Sequence, residues 1–334
     1  MKLSSAPVKA AAVIVSLLLP LLIGEVVLRI KNSSMQNYDI EMWRYSIGLK
    51  RPSDNPVLGH EHAPNSQAVL QNVNIRLNEW GMRGGPVPGE TGKRRIVFIG
   101  GSVTLGWGVE EDKTVEERIR QMFAKDGDDV EVFNSGVANY NTARYVELFI
   151  TRLNKLKPTD VVALCFVRDA EILEAGSANF LMRNSQLAVT IWSVIKQNTG
   201  PAGFDSLEAY YRSVFNPERE GFKSMKTAFK RLAGYAKENH VRLYLGLIPE
   251  THDLVNYRFQ FTDEEFEKIA KENGYTFVNF YQAFKGLTPG QIWATKVDAH
   301  PNELGHKLMA EALYPVLKAP AGGNANAGAE GVAK

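Results

Sequence analysis

The sequence predicts an α/β protein with three α/β/α layers around a five-stranded parallel sheet, preceded by a transmembrane helix. Short apolar runs alternate with amphipathic helical segments over residues 94–318. Strands that alternate with helices are typical of a parallel sheet whose two faces are both covered by helices. The second observation is an uncharged apolar segment near the N-terminus, over residues 10–23, which stands apart from this alternation.

The N-terminal segment has the composition of a membrane span. Lys2 and Lys9 precede the apolar run, and apolar residues resume at 26–28, after Glu25. The combined stretch has about the length that a bilayer requires. No clear small-x-small cleavage site follows it, so we expect an uncleaved signal anchor over residues 1–31. A cleaved signal peptide and a buried core helix are the alternatives.

The orientation of this anchor does not follow from charge. Two basic residues flank each side of the apolar stretch, whereas the positive-inside rule needs an asymmetry. A short N-terminal anchor commonly exports the chain that follows it. We therefore expect a single-pass membrane protein whose large domain lies outside the cytoplasm, in the periplasm or the extracellular space.

The regions on either side of the large domain differ from it in composition. Residues 32–93 are rich in Asn, Pro and Gly and predict an irregular lead-in region. Within it, the apolar period near two over residues 68–77 indicates a possible hairpin. The tail at 319–334 is rich in Gly, Ala and Asn, which predicts disorder. The large domain then spans residues 94–318.

Five strands and six helices follow from the periodicity of the large domain. Thr114 and Glu117 have the spacing of a capping box, so the first helix is expected to begin near Thr114. Residues 187–195 predict a helix that lies over the sheet edge or forms a lid. The predicted strands are 95–99, 130–133, 160–167, 241–248 and 276–280. The remaining predicted helices are 145–156, 222–239, 263–273 and 304–317.

The net charge argues against a nucleic-acid-binding protein, and the cysteine content excludes a disulfide-stabilised one. The formal net charge is +2 and no long basic block is present, so nothing indicates a nucleic-acid partner. The single cysteine, Cys165, allows no internal disulfide and lies in an apolar run, which predicts a buried, inert thiol. His60 and His62 form a pair without an obvious third ligand, so we expect a surface loop there and no metal site. The oligomeric state does not follow from the sequence.

The first candidate functional residue is Ser102, which follows Gly100 and Gly101 at the end of the first predicted strand. The segment lacks the Gly-Lys-Ser/Thr ending of a phosphate-binding loop, the glycine spacing of the dinucleotide fingerprint and the G-x-S-x-G pattern. Paired glycines allow a tight exit from the strand with the serine hydroxyl free. A glycine-rich turn with a capping serine explains this segment equally well when it is taken alone.

The second candidate segment is Asp298-Ala299-His300, which follows the last predicted strand and opens the terminal helix. A serine hydroxyl is a weak nucleophile until a base removes its proton, and histidine suits that task at neutral pH. A carboxylate fixes the histidine tautomer and stabilises the imidazolium. Since ligands of open α/β sheets bind beyond the carboxyl ends of the strands, we expect Ser102, Asp298 and His300 to form a catalytic triad.

These segments resemble the SGNH/GDSL hydrolase family, in its membrane-anchored bacterial form. Residues 99–106 are similar to its first block, 134–136 to its second and 298–300 to its last, although Gly101 replaces the aspartate of the motif. The resemblance implies a flavodoxin-like fold with Ser102 as the nucleophile. It also implies an oxyanion hole formed by the N–H groups of Ser102 and Gly136.

The third block of the family departs most in this chain. Arg168 stands where the family has the asparagine that completes the oxyanion hole. Three roles are open for Arg168. It replaces the asparagine as a donor, binds an acidic group on the substrate, or points away and pairs with Asp169 or another carboxylate.

The function that this resemblance implies is a serine esterase acting on a small acyl ester, such as an acetyl group on an exported polysaccharide. No metal or organic cofactor is expected. Two alternatives stay open: an O-acyltransferase of a cell-envelope polysaccharide that uses the same site, and a non-catalytic binding module, which the substitution at Arg168 favours. The expected partners are a small acyl ester or acylated carbohydrate, and a membrane through the N-terminal helix.

Overall fold

The computed structural model describes residues 6–173, 180–199 and 206–320. The predicted disordered tail lies outside the described residues from residue 321 onward. The strands are β1 (Lys50–Pro52), β2 (His60–His62), β3 (Gln67–Leu70), β4 (Val73–Arg76), β5 (Arg94–Gly100), β6 (Val130–Asn134), β7 (Asp160–Phe166), β8 (Arg242–Ile248), β9 (Thr276–Asn279), β10 (Trp293–Thr295) and β11 (Asp298–Pro301). The helices are α1 (Ala6–Lys31), α2 (Tyr38–Gly48), α3 (Ser102–Leu105), α4 (Val115–Lys125), α5 (Thr142–Thr151), α6 (Phe180–Asn184), α7 (Gln186–Thr199), α8 (Leu207–Val214), α9 (Glu220–Asn239), α10 (Gln260–Asn273), α11 (Tyr281–Phe284), α12 (Pro289–Ile292) and α13 (Glu303–Lys318).

The centre of the fold is a five-stranded parallel sheet with the order β6-β5-β7-β8-β9. Strands β5, β7 and β8 are buried along nearly their whole length, as expected when both faces of a parallel sheet are covered. All five predicted strands are confirmed to within one or two residues. The order places the topological switch point between β5 and β7, where open α/β sheets bind their ligands.

Helices cover the sheet in two layers. Helix α4 packs against α13, whereas α5 packs against α9 and α9 against α10. The connection from β5 to β6 runs toward one edge of the sheet, and the later connections run toward the other edge. Because these crossovers are right-handed, their helices lie on opposite faces of the sheet. Thr114 caps α4, since its side chain accepts a hydrogen bond from the N–H of Glu117. The predicted three-layer α/β/α architecture is confirmed.

The lead-in region at 32–93 contains more regular structure than its composition indicated. Helix α2 was not predicted. The possible hairpin is present as β3 and β4, which pair antiparallel with Gln67 opposite Arg76. Gln71 and Asn72 form its turn, with φ of 50° and 63°. A two-residue turn with both residues at positive φ matches the twist of a hairpin.

Helix α1 is long and apolar enough to cross a membrane by its length and composition, and the large apolar side chains along it are exposed. Helix α7 confirms the predicted helix over residues 187–195, and it packs against α1 and α2. Glu25 of α1 accepts hydrogen bonds from the N–H groups of Gln186 and Leu187 at 3.1 and 2.9 Å. These contacts cap the N-terminus of α7 and join it to the C-terminal part of α1.

A buried histidine joins the helices of one layer. His306 of α13 is fully buried and its Nδ1 accepts the N–H of Val115, the first residue of α4, at 3.1 Å. Burial lowers the pKa of His306 to about 3 from 6.5. The folded protein therefore holds this ring neutral at pH values where the unfolded chain binds a proton.

We predict that His306 makes the protein less stable as the pH falls. Below about pH 6.5 the unfolded state binds a proton that the folded state excludes, so the free energy of unfolding decreases with decreasing pH. Between about pH 7.5 and pH 5.5 this loss amounts to about 1.4 kcal/mol. Urea unfolding of the full chain in detergent should show it. The variant His306→Asn, whose amide oxygen can still accept a hydrogen bond from the N–H of Val115, should lose about 1.4 kcal/mol less unfolding free energy than the parent over this pH range. An equal loss in variant and parent would contradict the assignment.

Candidate active site

Ser102, His300 and Asp298 lie in one continuous hydrogen-bonded chain. The Oγ of Ser102 is 2.6 Å from the Nε2 of His300, and the Nδ1 of His300 is 2.5 Å from the Oδ1 of Asp298. These contacts span 198 residues of sequence. The three residues that the sequence singled out are therefore in contact, in the order that nucleophilic catalysis by serine requires.

Ser102 is presented by the turn that leaves β5. It is the first residue of the short helix α3 and follows directly on Gly100 and Gly101. A Cβ on Gly100 would lie 2.0 Å from the side chain of Thr104 and 2.8 Å from the carbonyl oxygen of Leu164. Only glycine permits this close turn, which places Ser102 beyond the carboxyl end of the central strand.

His300 and Asp298 lie on β11, which pairs antiparallel with β10. The side chain of Asn302 follows β11 and accepts hydrogen bonds from the N–H groups of Leu304 and Gly305, so it caps α13. The strand is thus fixed on one side by β10 and at its end by the start of a long helix. This explains why the Asp-x-His segment precedes the terminal helix in the sequence.

The carboxylate of Asp298 is buried, with 3% of the residue exposed. Its Oδ2 accepts the indole N–H of Trp107 at 2.9 Å and the amide of Gln71. Burial raises the pKa of Asp298, but the hydrogen bonds and charge of His300 and the hydrogen bond of Gln71 outweigh burial and hold that pKa below its usual value. Asp298 is therefore ionised when His300 needs an anionic partner.

Two residues that contact the triad were not predicted from the sequence. Gln71 lies in the hairpin turn between β3 and β4, and Tyr38 at the start of α2 stacks on the ring of His300 with centroids 5.9 Å apart. Trp107 is fully buried and donates its indole N–H to Asp298. The lead-in region therefore forms one wall of the site.

Gly136, predicted as an oxyanion-hole donor, lies behind the site. Its N–H donates to the side chain of Asn134 at 3.0 Å, and it is absent from the described residues that line the cavity. A Cβ on Gly136 would lie 2.1 Å from the backbone nitrogen of Leu105. The residue is glycine because the backbone of α3 packs directly on it.

Asn139 lies beyond Gly136 in the loop that follows β6. It lines the cavity and has a φ of 63°, in the turn closed by the hydrogen bond from the N–H of Tyr140 to the carbonyl of Val137. The Cβ position of Gly101 is 3.2 Å from the carbonyl oxygen of Tyr140, so this turn lies against the nucleophile loop. In the described part of the chain, no hydrogen bond is formed by the N–H of Asn139 or of Ser102. Asparagine tolerates the left-handed region, which was the available sequence signal.

Arg168 lines the same cavity but bonds to none of the three triad residues. Its Nε and Nη2 donate to the carboxylate of Glu171 at distances of 3.0 to 3.2 Å. Of the three roles left open by the sequence, pairing with a carboxylate is the one seen, and the partner is Glu171. Asp169 instead accepts the hydroxyl of Tyr145 at 2.7 Å, and burial raises the pKa of Asp169 to about 7.

The cavity in front of Ser102 has a volume of about 490 Å³. Its floor includes the apolar ends of β7 and β8, with Leu164, Phe166 and Ile248. A second histidine–carboxylate pair, His252 with Glu250, lines it beside β11. The cavity is large enough to hold a small organic ligand.

Other residues considered in the sequence have structural roles. Cys165 is buried, as predicted. His62 is also buried and not on a surface loop, because its ring bonds to the hydroxyl of Tyr45 at 2.7 Å and to the carbonyl of Gly81 at 2.8 Å. Among the described residues no group of three or more His, Cys, Asp or Glu side chains is arranged to hold a metal ion.

Comparison with known proteins gives similarity in structure only. No protein-family model matches the sequence, and no curated protein matches it. Solved structures that are similar include TesA (14% identity, 67% of this chain and 98% of the other, TM-score 0.46). A second is a putative lipolytic protein of the G-D-S-L family from Desulfitobacterium hafniense DCB-2, at 17% identity over 67% of this chain and 99% of the other, with a TM-score of 0.43. A third is a catalytic mutant of an acetylxylan esterase from Geobacillus stearothermophilus, at 14% identity over 68% of this chain and 95% of the other, with a TM-score of 0.43.

We predict that Gly136→Ala destabilises the fold, because its new Cβ would overlap backbone atoms of α3 that have no room to move. Overpacking of this kind costs about 1–3 kcal/mol, so the thermal unfolding midpoint of the full chain should fall by several degrees. The matched control is Gly234→Ala, where nothing lies within 4 Å of the added Cβ on the face of α9. That change should leave the midpoint unchanged or raise it, and an unchanged midpoint in Gly136→Ala would refute the structural role.

Proposed function

We propose that this protein is a serine esterase that cleaves small acyl esters through a covalent acyl-enzyme. The observation that carries the proposal is the unbroken chain from the Oγ of Ser102 through His300 to Asp298, with contacts of 2.6 and 2.5 Å. Serine, histidine and a buried carboxylate in this order form the constellation that activates a hydroxyl for attack on a carbonyl carbon.

In the proposed reaction, the Nε2 of His300 removes the proton of Ser102 as Oγ attacks the ester carbonyl. Asp298 holds the Nδ1–H tautomer and stabilises the imidazolium. The tetrahedral intermediate collapses, the alcohol leaves with a proton, and the acyl group stays on Ser102. Attack by water on that acyl-enzyme then releases the acid and regenerates the serine.

The oxyanion hole in this proposal consists of the N–H groups of Ser102 and Asn139. Both belong to residues that line the cavity, and neither forms a hydrogen bond within the described part of the chain. Asn139 thus replaces Gly136 in the role that the sequence resemblance implied. Arg168 is not assigned to the oxyanion hole, because Glu171 already engages its guanidinium.

The substrate that best fits the cavity is the ester of a small acid, such as an acetyl group on a carbohydrate. Leu164, Phe166 and Ile248 offer an apolar floor for the acyl group, and polar side chains line the other side. Transfer of the acyl group to a carbohydrate hydroxyl, and not to water, uses the same residues and differs only in the acceptor.

We predict that Ser102→Ala abolishes turnover of p-nitrophenyl acetate by the full chain in detergent. Loss of the nucleophile should lower kcat by roughly 10³-fold or more, since only binding and oxyanion contacts are left. Ser224→Ala, which removes an exposed hydroxyl from α9, is the control and should keep full activity. A fluorophosphonate probe should label the parent and this control but not Ser102→Ala. Absence of labelling in the parent would favour the alternative of a non-catalytic binding module.

We also propose that α1 anchors the protein in a membrane, with the catalytic domain outside the cytoplasm. The helix has the length of a span and a mean hydropathy of 2.5 over its apolar window. Apolar side chains of α7, among them Ile191 and Trp192, are exposed beside it. Tryptophan is favoured at the membrane–water interface, so the joined pair α1–α7 would lie partly in the bilayer surface.

We predict that the full chain stays in the membrane pellet after an alkaline carbonate wash. Leu18→Arg should increase the released fraction, because an arginine at the centre of a span costs roughly 2.5–3.5 kcal/mol. Val57→Arg introduces the same charge at an exposed apolar site outside α1 and should not release the protein. Release of the unmodified chain by carbonate would contradict the anchor. Digestion of the domain by protease added to spheroplasts with an intact inner membrane tests its orientation.

A further inference from the structure

The two histidines of β2, for which the sequence predicts a surface loop, both lead to Ala138. The Nε2 of His60 is 3.1 Å from the carbonyl oxygen of Ala138. On the other side of this residue, the N–H of Ala138 donates to the hydroxyl of Tyr45 at 3.0 Å, and that hydroxyl lies 2.7 Å from the Nε2 of His62. Ala138 directly precedes Asn139, whose N–H is a proposed donor of the oxyanion hole.

The acceptors around the two rings determine where their protons lie. A carbonyl oxygen can only accept, so the Nε2 of His60 carries the proton that it donates to Ala138. The Nδ1 of His62 lies 2.8 Å from the carbonyl oxygen of Gly81 and donates to it, so its Nε2 accepts the hydroxyl of Tyr45. Burial lowers the pKa of His60 to about 3 and that of His62 to about 4. Both rings are therefore neutral, and each has one donor in a fixed direction.

Ala138 and Asn139 are the central residues of a β-turn. The N–H of Tyr140 closes it by donating to the carbonyl of Val137 at 3.2 Å. Asn139 has a φ of 63°, whereas the φ of Ala138 is not positive, and this combination is typical of a type II turn. A type I turn joins the same two ends with the central peptide group turned over, and it needs no positive φ. Asparagine tolerates the left-handed region less readily than glycine, so the local sequence does not by itself determine which turn forms.

The turn lies against the segment that presents Ser102. The N–H of Val137 donates to the carbonyl of Gly100 at 3.1 Å. At the other end of the turn, the carbonyl oxygen of Tyr140 lies 3.2 Å from the Cβ position of Gly101. Both ends of the turn are therefore in contact with the two residues that precede the nucleophile.

The direction of the central peptide group follows from the contact with His60. A trans peptide group is planar, so its C=O and its N–H point in opposite directions. The C=O of Ala138 points to His60, which is not among the described residues that line the cavity, whereas Asn139 does line it. The N–H of Asn139 therefore points away from His60 and toward the cavity.

We propose that His60 is a positioning residue of the oxyanion hole, because it holds the Ala138–Asn139 peptide group with its N–H toward the cavity. This role rests on the proposed esterase function and deepens it. Without His60 the central peptide group is free to turn over, which would place a carbonyl oxygen where the oxyanion needs a donor. A hydrogen bond to the C=O of an amide also polarises the group and strengthens its N–H as a donor. His62 acts through Tyr45 on the preceding peptide group, which fixes the other side of Ala138.

The test measures acylation by p-nitrophenyl acetate in stopped flow, with the full chain in detergent. His60→Leu removes the donor but keeps the backbone carbonyl that accepts the hydroxyl of Tyr140, so β2 can still dock on the turn. The acylation rate constant should fall by roughly 10²-fold, the effect of losing one oxyanion-hole donor. The dissociation constant of the substrate should change by less than about 3-fold, because the oxyanion exists only in the transition state.

His60→Gln is the conservative variant. Its amide nitrogen reaches about the place of Nε2 and can donate to Ala138, so its acylation rate constant should stay within about 10-fold of that of the parent. His60→Asn carries an amide that reaches only the place of Nδ1. It should show the loss seen in His60→Leu, and it replaces that variant in the comparison if His60→Leu does not fold.

A second comparison changes the turn itself. Glycine in place of Asn139 adopts a positive φ without cost, so the type II turn no longer depends on His60. The loss caused by His60→Leu should therefore be smaller by about 10-fold in the background of Asn139→Gly than in the parent. A packing defect left by the missing imidazole ring would give the same loss in both backgrounds.

Glu61→Gln is the matched control on the same strand. Glu61 lies between the two histidines on β2, so its side chain points to the other side of the strand, where it accepts a hydrogen bond from Arg51 at 2.7 Å. The change weakens the contact between β1 and β2 without touching Ala138, and the acylation rate constant should stay that of the parent. A loss equal to that of His60→Leu would assign the effect to the strand as a whole and overturn the specific role of His60.

The results separate failure of this role from failure of the proposed function. An acylation rate constant of His60→Leu within about 3-fold of the parent would overturn the role of His60 and leave Ser102 as the nucleophile. Equal losses in His60→Leu and His60→Gln, or equal losses with and without Asn139→Gly, would do the same. Absence of an acetyl-enzyme in the parent chain, measured by intact-protein mass spectrometry, would instead overturn the esterase function itself.

Discussion

The buried carboxylate of Asp298 is the constraint on which the arrangement of the site depends. An ionised carboxylate inside a protein is costly unless hydrogen-bond donors surround it. Here the donors come from β11 itself, from Trp107 in the loop after α3, and from Gln71 in a hairpin 227 residues away in sequence. The lead-in region, the nucleophile loop and the C-terminal strand must therefore be assembled around one charge before the site is complete.

The features of this structure that could be predicted from the sequence are those determined by neighbouring residues. The central strands β5, β7 and β8 were found because buried parallel strands are short and largely apolar, and α4 because Thr114 caps it locally. Ser102 and the Asp298–His300 segment were found because reactive residue types follow strands, where a sheet presents its ligand site. In each case a few adjacent residues carry the whole signal.

The parts that sequence did not predict depend on contacts between distant segments. Nothing near Tyr38 or Gln71 indicates that they meet His300 and Asp298, since α2 and the β3–β4 hairpin reach these residues only in the folded chain. The proposed exchange of Gly136 for Asn139 as an oxyanion-hole donor has another cause. A motif locates a glycine by its spacing, but a Cβ at Gly136 would overlap α3, so that glycine serves packing while the turn at Asn139 faces the cavity.

The basic side chains of the cavity are each paired with a carboxylate. His300 faces Asp298, His252 faces Glu250, and Arg168 faces Glu171. Each basic side chain that lines the cavity is therefore matched by a carboxylate of the protein itself. Such an arrangement lowers the net positive charge of the cavity, which favours an uncharged ligand over an anionic one. This agrees with a neutral ester as the proposed substrate.

The cap that Glu25 places on α7 has a mechanical consequence. A flexible tether lets a domain sample many heights and tilts above a surface, but here the apolar helix continues into the body through hydrogen bonds to the first turn of α7. For a chain anchored as proposed, the cavity would sit at one height and one inclination relative to the bilayer. Its reach would then be set by geometry, and only esters presented within a narrow layer above the membrane could enter it.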